Sequence, residues 1–184
     1  MATKEIVKTL IDSVGSDVVL TAEQVQARYH TDWSGTPPVA PLALVRPRST
    51  EDVVQTLRWC HAQRVPVVPQ GGLTGLAGGA VPVAQGVALS MERMNAIESL
   101  DTRSGVMTVQ AGATLQQVQE AAQEAGWYFG VDLGARGSCH IGGNVATNAG
   151  GNGVLQYGMM REQVLGLEVV LADGTVLPML RPMI

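Results

Sequence analysis

The stretch that most constrains this chain is Gly71-Gly-Leu-Thr-Gly-Leu-Ala-Gly-Gly79, entered from Val65-Pro-Val-Val-Pro-Gln70. Val67 and Val68 read as a short buried strand between prolines, and five glycines then arrive within the segment 71–79. A helix or strand interior does not tolerate that density, because glycine gives up the most backbone freedom on ordering. Such a loop suits close backbone approach, and its successive N–H groups can form a concave nest for an anion. No Lys or Arg occurs from Pro66 to Glu92. An anion held here is therefore held by amides and the Thr74 hydroxyl, which favours an internal diphosphate over a transferable terminal phosphate.

Of the 22 glycines, nine more lie between Gly130 and Gly158. That second segment reads as long and largely irregular, a length that in a compact domain usually marks a functional or a disordered stretch. Its centre, Leu133-Gly-Ala-Arg-Gly-Ser-Cys-His-Ile-Gly-Gly-Asn-Val-Ala-Thr-Asn-Ala-Gly-Gly151, mixes small residues with the hydrogen-bonding side chains of Ser138, Asn144, Thr147 and Asn148.

The remaining pattern is α+β. Ile6, Val7, Leu10, Ile11 and Val14 share one helical face. Thr21 with Gln24 has capping-box spacing and opens a short helix to Tyr29. Residues 1–37 read as an N-terminal helical arm, with the loop Asp32–Pro38 as the boundary of a main domain over 38–184. Within it, residues 42–69 form a βαβ unit whose helix is capped by Ser49. Strands follow at 86–90, 96–100 and 106–109, and then a helix capped by Thr114 with Gln117. Residues 164–178 read as a hairpin about Asp173-Gly174.

Charge and composition narrow the partners. A net charge of -4 gives no basic footprint for nucleic acid, and no apolar run reaches the length of a membrane span. Cys60 and Cys139 make neither a disulfide framework nor a metal quartet. The N-terminal stretch lacks the apolar core of a secretory signal, so a cytoplasmic protein with reduced thiols is expected. His140 and Cys139 read as ordinary residues of a glycine-rich loop, and Trp33, Trp59 and Trp127 as packing residues.

The two glycine segments, with Val109-Gln-Ala-Gly-Ala-Thr-Leu115 and Leu167-Glu-Val-Val-Leu-Ala-Asp-Gly-Thr175, resemble the FAD-binding domain of the vanillyl-alcohol oxidase/PCMH flavoproteins. They are most similar to the FAD-linked D-2-hydroxyacid dehydrogenases, the branch of the D-lactate and D-2-hydroxyglutarate dehydrogenases and the glycolate oxidase flavin subunit. The resemblance runs from about Pro38 to the C-terminus. It implies a PCMH-type domain with a βαβ subdomain and a mixed or antiparallel sheet subdomain, incomplete at the C-terminus. Gln70, Gly71, Gly72, Leu73, Thr74, Gly75 and Gly78 match the loop around the FAD diphosphate. Ser138, Cys139, Ile141, Gly142 and Gly143 match the loop along the flavin and ribityl chain, continued by Thr147 and Gly151, with Val169 toward the adenine. Leu73 stands where covalently flavinylated relatives often carry His, so noncovalent FAD is expected. The resemblance places the catalytic and metal-binding groups in a cap domain that this chain does not contain. No catalytic or metal residue is assigned here, a small 2-hydroxy acid is a partner only of the full-length enzyme, and association with a partner chain or a second copy is open.

Overall fold

A computed structural model describes residues 3–180. The first layer is a four-stranded sheet in the order β1–β2–β4–β3, built from β1 (Val19–Thr21), β2 (Ala43–Val45), β3 (Val67–Gln70) and β4 (Val87–Ser90). β1 runs antiparallel to β2, while β2 and β3 both run parallel to β4. The expected βαβ unit therefore has parallel strands that do not touch, because β4 lies between them. All of β4 is buried, as its run Val-Ala-Leu-Ser suits a strand covered on both faces. β3 takes the edge, where Pro69 costs no ladder hydrogen bond.

Helix α2 (Thr50–Gln63) connects β2 to β3. Ser49 caps it by accepting from the Asp52 amide, and Glu51 and Asp52 sit in the positive first turn. Helix α1 (Thr3–Val14) packs on α2 through Leu10, which is fully buried in the main core with Leu57, Trp59 and Val87. The N-terminal stretch thus contributes a helix, a sheet strand and two 3-10 turns, Ala22–Gln24 and Ala27–His30. Strand β1 falls where no strand was expected.

The second layer starts with the antiparallel pair β5 (Ile97–Asp101) and β6 (Val106–Val109) and the helix α3 (Leu115–Glu124). Thr114 and Gln117 close the expected capping box. The segment read as irregular contains two short helices, α4 (Ile141–Ala146) and α5 (Val154–Tyr157). Helix α4 runs through Gly142 and Gly143 against their low propensity, with Ile141 buried among Leu115, Val118 and Val131. Tertiary anchoring overrides propensity there. The hairpin β7 (Leu167–Val170) and β8 (Val176–Met179) follows. Its turn spans Leu171 to Thr175, with Gly174 in the left-handed region. Among the described residues, no helix is long and apolar enough to cross a membrane.

Candidate functional site

The loop 71–79 leaves the C-terminal end of β3, and the second glycine segment is tied to the stretch 111–115. Leu115 N–H donates to Cys139 O (3.2 Å), Ile141 N–H to Ala113 O (2.8 Å) and Gly142 N–H to Ala111 O (2.8 Å). This tether brings the two loops together. A Cβ on Gly72 would lie 1.8 Å from the Ser138 carbonyl oxygen, and one on Gly71 would lie 3.4 Å from the His140 side chain. The sequence-distant glycine clusters thus meet backbone to backbone, at the floor of a cleft of about 500 Å3.

No backbone amide from Gly71 to Gly79 donates to an acceptor within the described residues. Gly75, Leu76, Ala77 and Gly79 are exposed and their amides face solvent, whereas Gly71, Gly72 and Leu73 are half-buried on the cleft lining, so their free amides are the ones open to a ligand there. The loop's own shape is fixed from outside. Gln70 is buried and its Nε2 donates to Tyr29 O and Ala80 O, both at 2.9 Å. The Asp32 carboxylate accepts from the Ser34 and Ala80 amides at 2.9 and 3.3 Å. Leu73 holds a left-handed φ of 60°, an outlier for a bulky side chain, while it packs on Tyr29, Leu44 and Ala88. Strain of this kind gathers where surrounding structure fixes a loop for use.

Of the residues singled out in the sequence, Gly71, Gly72, Leu73 and Ser138 line the cleft. Thr74, Gly75 and Gly78 continue the first loop, with Gly78 at positive φ against Thr36. Cys139 and Ile141 bury their side chains in the second core and use their amides internally, so they shape the second loop from behind. Gly142 packs on Ala111, whereas a Cβ on Gly143 would meet no atom within 4 Å. Three others lie away from the cleft lining. Thr147 donates its hydroxyl to Gly143 O, Gly151 packs on Asp132 O at φ 112°, and half-buried Val169 pairs with Leu177 in the hairpin.

Sequence reasoning missed Arg28, Tyr29, Asp32, Trp33 and Glu92 as members of the cleft lining. The Glu92 carboxylate accepts from Tyr29 Oη (2.5 Å), Arg28 Nη2 (2.7 Å) and Arg46 Nη1 (3.3 Å). The Arg28 guanidinium also lies 4.2 Å from the Tyr29 ring centroid. Trp33, expected to be packing, is 64% exposed, while Trp59 is buried. No local spacing announces them, since they come from separate segments.

Burial lowers the pKa of His140, with Glu92 opposing and Arg28 reinforcing the shift, so its ring is neutral at pH 7. Burial pushes Glu92 up, but the hydrogen bond from Tyr29 and the Arg28 charge outweigh it and hold the carboxyl below its ordinary value. Both depressed groups contribute stability above their ordinary values of 6.5 and 4.5 and lose it as pH falls through their folded values. Urea unfolding across pH should therefore show stability declining from just below 6.5 and again below 4.5. His140→Gln should flatten the first decline and Glu92→Gln should shrink the second, whose remainder comes from Asp32 and other carboxyls also held below their ordinary values. An unchanged profile in both variants would show that neither group carries the effect.

The fold, with its paired glycine loops at a cleft, is that of the PCMH-type flavin-binding domains it matches. The chain belongs to the FAD binding domain family, whose profile matches residues 41–179. It is 51% identical over 159 residues to D-2-hydroxyglutarate dehydrogenase, mitochondrial, of Bos taurus, covering 86% of this chain and 29% of that protein. It is 48% identical over 149 residues to the D-2-hydroxyglutarate dehydrogenase of Xanthomonas citri pv. viticola, covering 81% and 32%. The chain thus spans under a third of the length of these relatives. Among solved structures it resembles an alkyldihydroxyacetonephosphate synthase (TM-score 0.83, 23% identity, 96% of this chain and 34% of that one). It also resembles p-cresol methylhydroxylase with substrate bound (TM-score 0.78, 26% identity, 95% and 34%).

The cytoplasmic expectation is corrected by these relatives. Those from Bos taurus, Rattus norvegicus and Oryza sativa are named mitochondrial. The missing apolar core was the wrong sign to read, because organellar leaders are amphipathic and Arg-rich rather than apolar.

Proposed function

We propose that this chain is the FAD-binding portion of a flavoprotein that oxidises a D-2-hydroxy acid, of the D-2-hydroxyglutarate or D-lactate class. The observation that carries the reading is the closure of the two glycine loops at Gly72 and Ser138, with the free amides of Gly71, Gly72 and Leu73 on the cleft lining. The donor chemistry fits the cofactor: amides and the Thr74 hydroxyl suit the oxygens of an internal diphosphate. Buried His140 Nδ1 and Gln70 Oε1, both without a partner among the described residues, add polar capacity beside the glycines. FAD, when bound, supplies the centre that accepts hydride from the 2-carbon of the substrate.

This chain's residues bind and orient. The loop 71–79 would hold the diphosphate. Ser138 and Gly143 would border the ribityl chain and flavin, with Cys139, Ile141 and Gly142 fixing that loop from its core side. Gly151, Thr147 and Val169 would act further along the cofactor. Leu73 supplies no nucleophile, in keeping with noncovalent FAD. No residue here is assigned to the substrate's proton. In this reading residues 1–37 form an arm docked on the FAD domain of residues 38–184.

The test is an absorbance spectrum of the purified chain after FAD addition and removal of excess. Near-stoichiometric flavin bands are expected, and a colourless folded protein would overturn the reading.

One observation favours a second reading, a module that works only when covered by a partner chain or a second copy. Leu155 on α5 and Leu165, Leu171 and Met179 in and beside the last hairpin are exposed. Light scattering tests it, and a clean monomer that holds flavin would count against it.

A further inference from the structure

The loop 71–79 offers a dianionic diphosphate only partial charges, since no cation occurs between Pro66 and Glu92. The fold supplies one from elsewhere. Among the described residues lining the cleft, Arg28 is the one arginine or lysine, and it shares that lining with Gly71, Gly72 and Leu73. It comes from the 3-10 turn Ala27–His30, outside the family-matched residues 41–179.

Its surroundings hold the guanidinium through one nitrogen and leave the others free. Nη2 alone is engaged, with Tyr29 Oη and Glu92, while Nε and Nη1 donate to nothing among the described residues. Glu92 is shared with Arg46 at 3.3 Å, so two cations divide one carboxylate. The Arg28–Glu92–Arg46 group alone sums to +1, which the ionised Asp32 carboxylate on the same cleft offsets, so what Arg28 offers an anion is its free Nε and Nη1 donors rather than a net positive cleft. Stacking on Tyr29 restricts the Arg28 side chain, which is 56% exposed, and lowers the entropy lost when an anion is clamped.

We propose that Arg28 is the counter-charge for the cofactor diphosphate, so that the N-terminal segment is part of the flavin site. The inference rests on the FAD reading above. A substrate carboxylate shares the same anionic chemistry. The diphosphate is favoured because the idle amides of the glycine loop share the cleft with Arg28.

The test measures dissociation constants of FAD and riboflavin for the purified chain at low and high salt, by flavin fluorescence. Arg28→Gln should weaken FAD about tenfold, the scale of one charge-assisted hydrogen bond. It should leave riboflavin, which has no phosphate, unchanged, and it should reduce the salt sensitivity of FAD binding. Arg28→Lys should keep most of that salt sensitivity, because it keeps the charge while losing the planar fork. Equal FAD affinity in Arg28→Gln and the parent chain would overturn the proposal, as expected if Arg28 serves a carboxylate instead. Equal losses for FAD and riboflavin would also overturn it, by assigning Arg28 a structural role. Failure of the unsubstituted chain to bind FAD would defeat the underlying reading itself, and the proposal with it.

Discussion

Gly72→Ala should separate the two glycine loops and abolish flavin retention. The added Cβ would stand 1.8 Å from Ser138 O, 2.7 Å from Ser138 C and 2.9 Å from Cys139 Cα. All three obstacles are backbone, so no side-chain rotation relieves the overlap. The second loop cannot withdraw without loss, because its N–H and C=O groups at Cys139, Ile141 and Gly142 are bonded to residues 111–115. Overpacking typically costs about 1–3 kcal/mol, and this site belongs at the upper end. Urea unfolding should show a loss of about 3 kcal/mol, and FAD added to the variant should wash out. Gly79→Ala is the matched control. Its Cβ would meet nothing within 4 Å, so its stability should stay within about 0.5 kcal/mol of the parent chain. Parent-like stability and retained flavin in Gly72→Ala would mean that the loops do not meet as described.

The contrast between these glycines marks the limit of sequence reading here. Composition pointed to two loops specialised for backbone contact, and the structure brings them together. It did not distinguish glycines that admit a ligand from glycines that admit the protein's own backbone. Gly72, Gly142 and Gly151 are of the second kind, filled by Ser138, Ala111 and Asp132. That distinction needs the distance between segments about 20 to 66 residues apart in the chain, which no local pattern carries.

Local signals were read well for the same reason that distant ones were not. The Ser49 cap, the Thr114–Gln117 box and the β5–β6 hairpin are written in neighbouring residues, and each forms. The insertion of β4 between β2 and β3 is not, because hydrophobic runs announce strands but not their order. Helix α4 was hidden by Gly142-Gly143, whose low propensity is overridden by the tether to Ala111 and Ala113. The group of Arg28, Tyr29 and Glu92 was hidden differently. Each is an ordinary residue in its own segment, and only the fold makes a cluster of them.

Gly143→Ala should move stability and flavin binding in opposite directions. Gly143 lies inside α4, is exposed, and a Cβ there would meet no protein atom within 4 Å. Its φ is not in the left-handed region, so alanine fits the backbone it already has. Helix propensity alone then favours the variant by up to about 1 kcal/mol in the absence of cofactor. The open space is where the second loop faces the cofactor in the proposed reading, so the added methyl should weaken FAD by about tenfold or more, as a contact of about 1.4 kcal/mol would. Thermal unfolding of the cofactor-free chain and flavin titration measure the two effects separately. A variant that is more stable and weaker in FAD binding separates a ligand-facing glycine from a fold-bearing one, which destabilisation at Gly72 cannot do. A more stable variant that binds FAD as tightly as the parent would move the cofactor away from α4 while leaving the loop 71–79 as its candidate cradle.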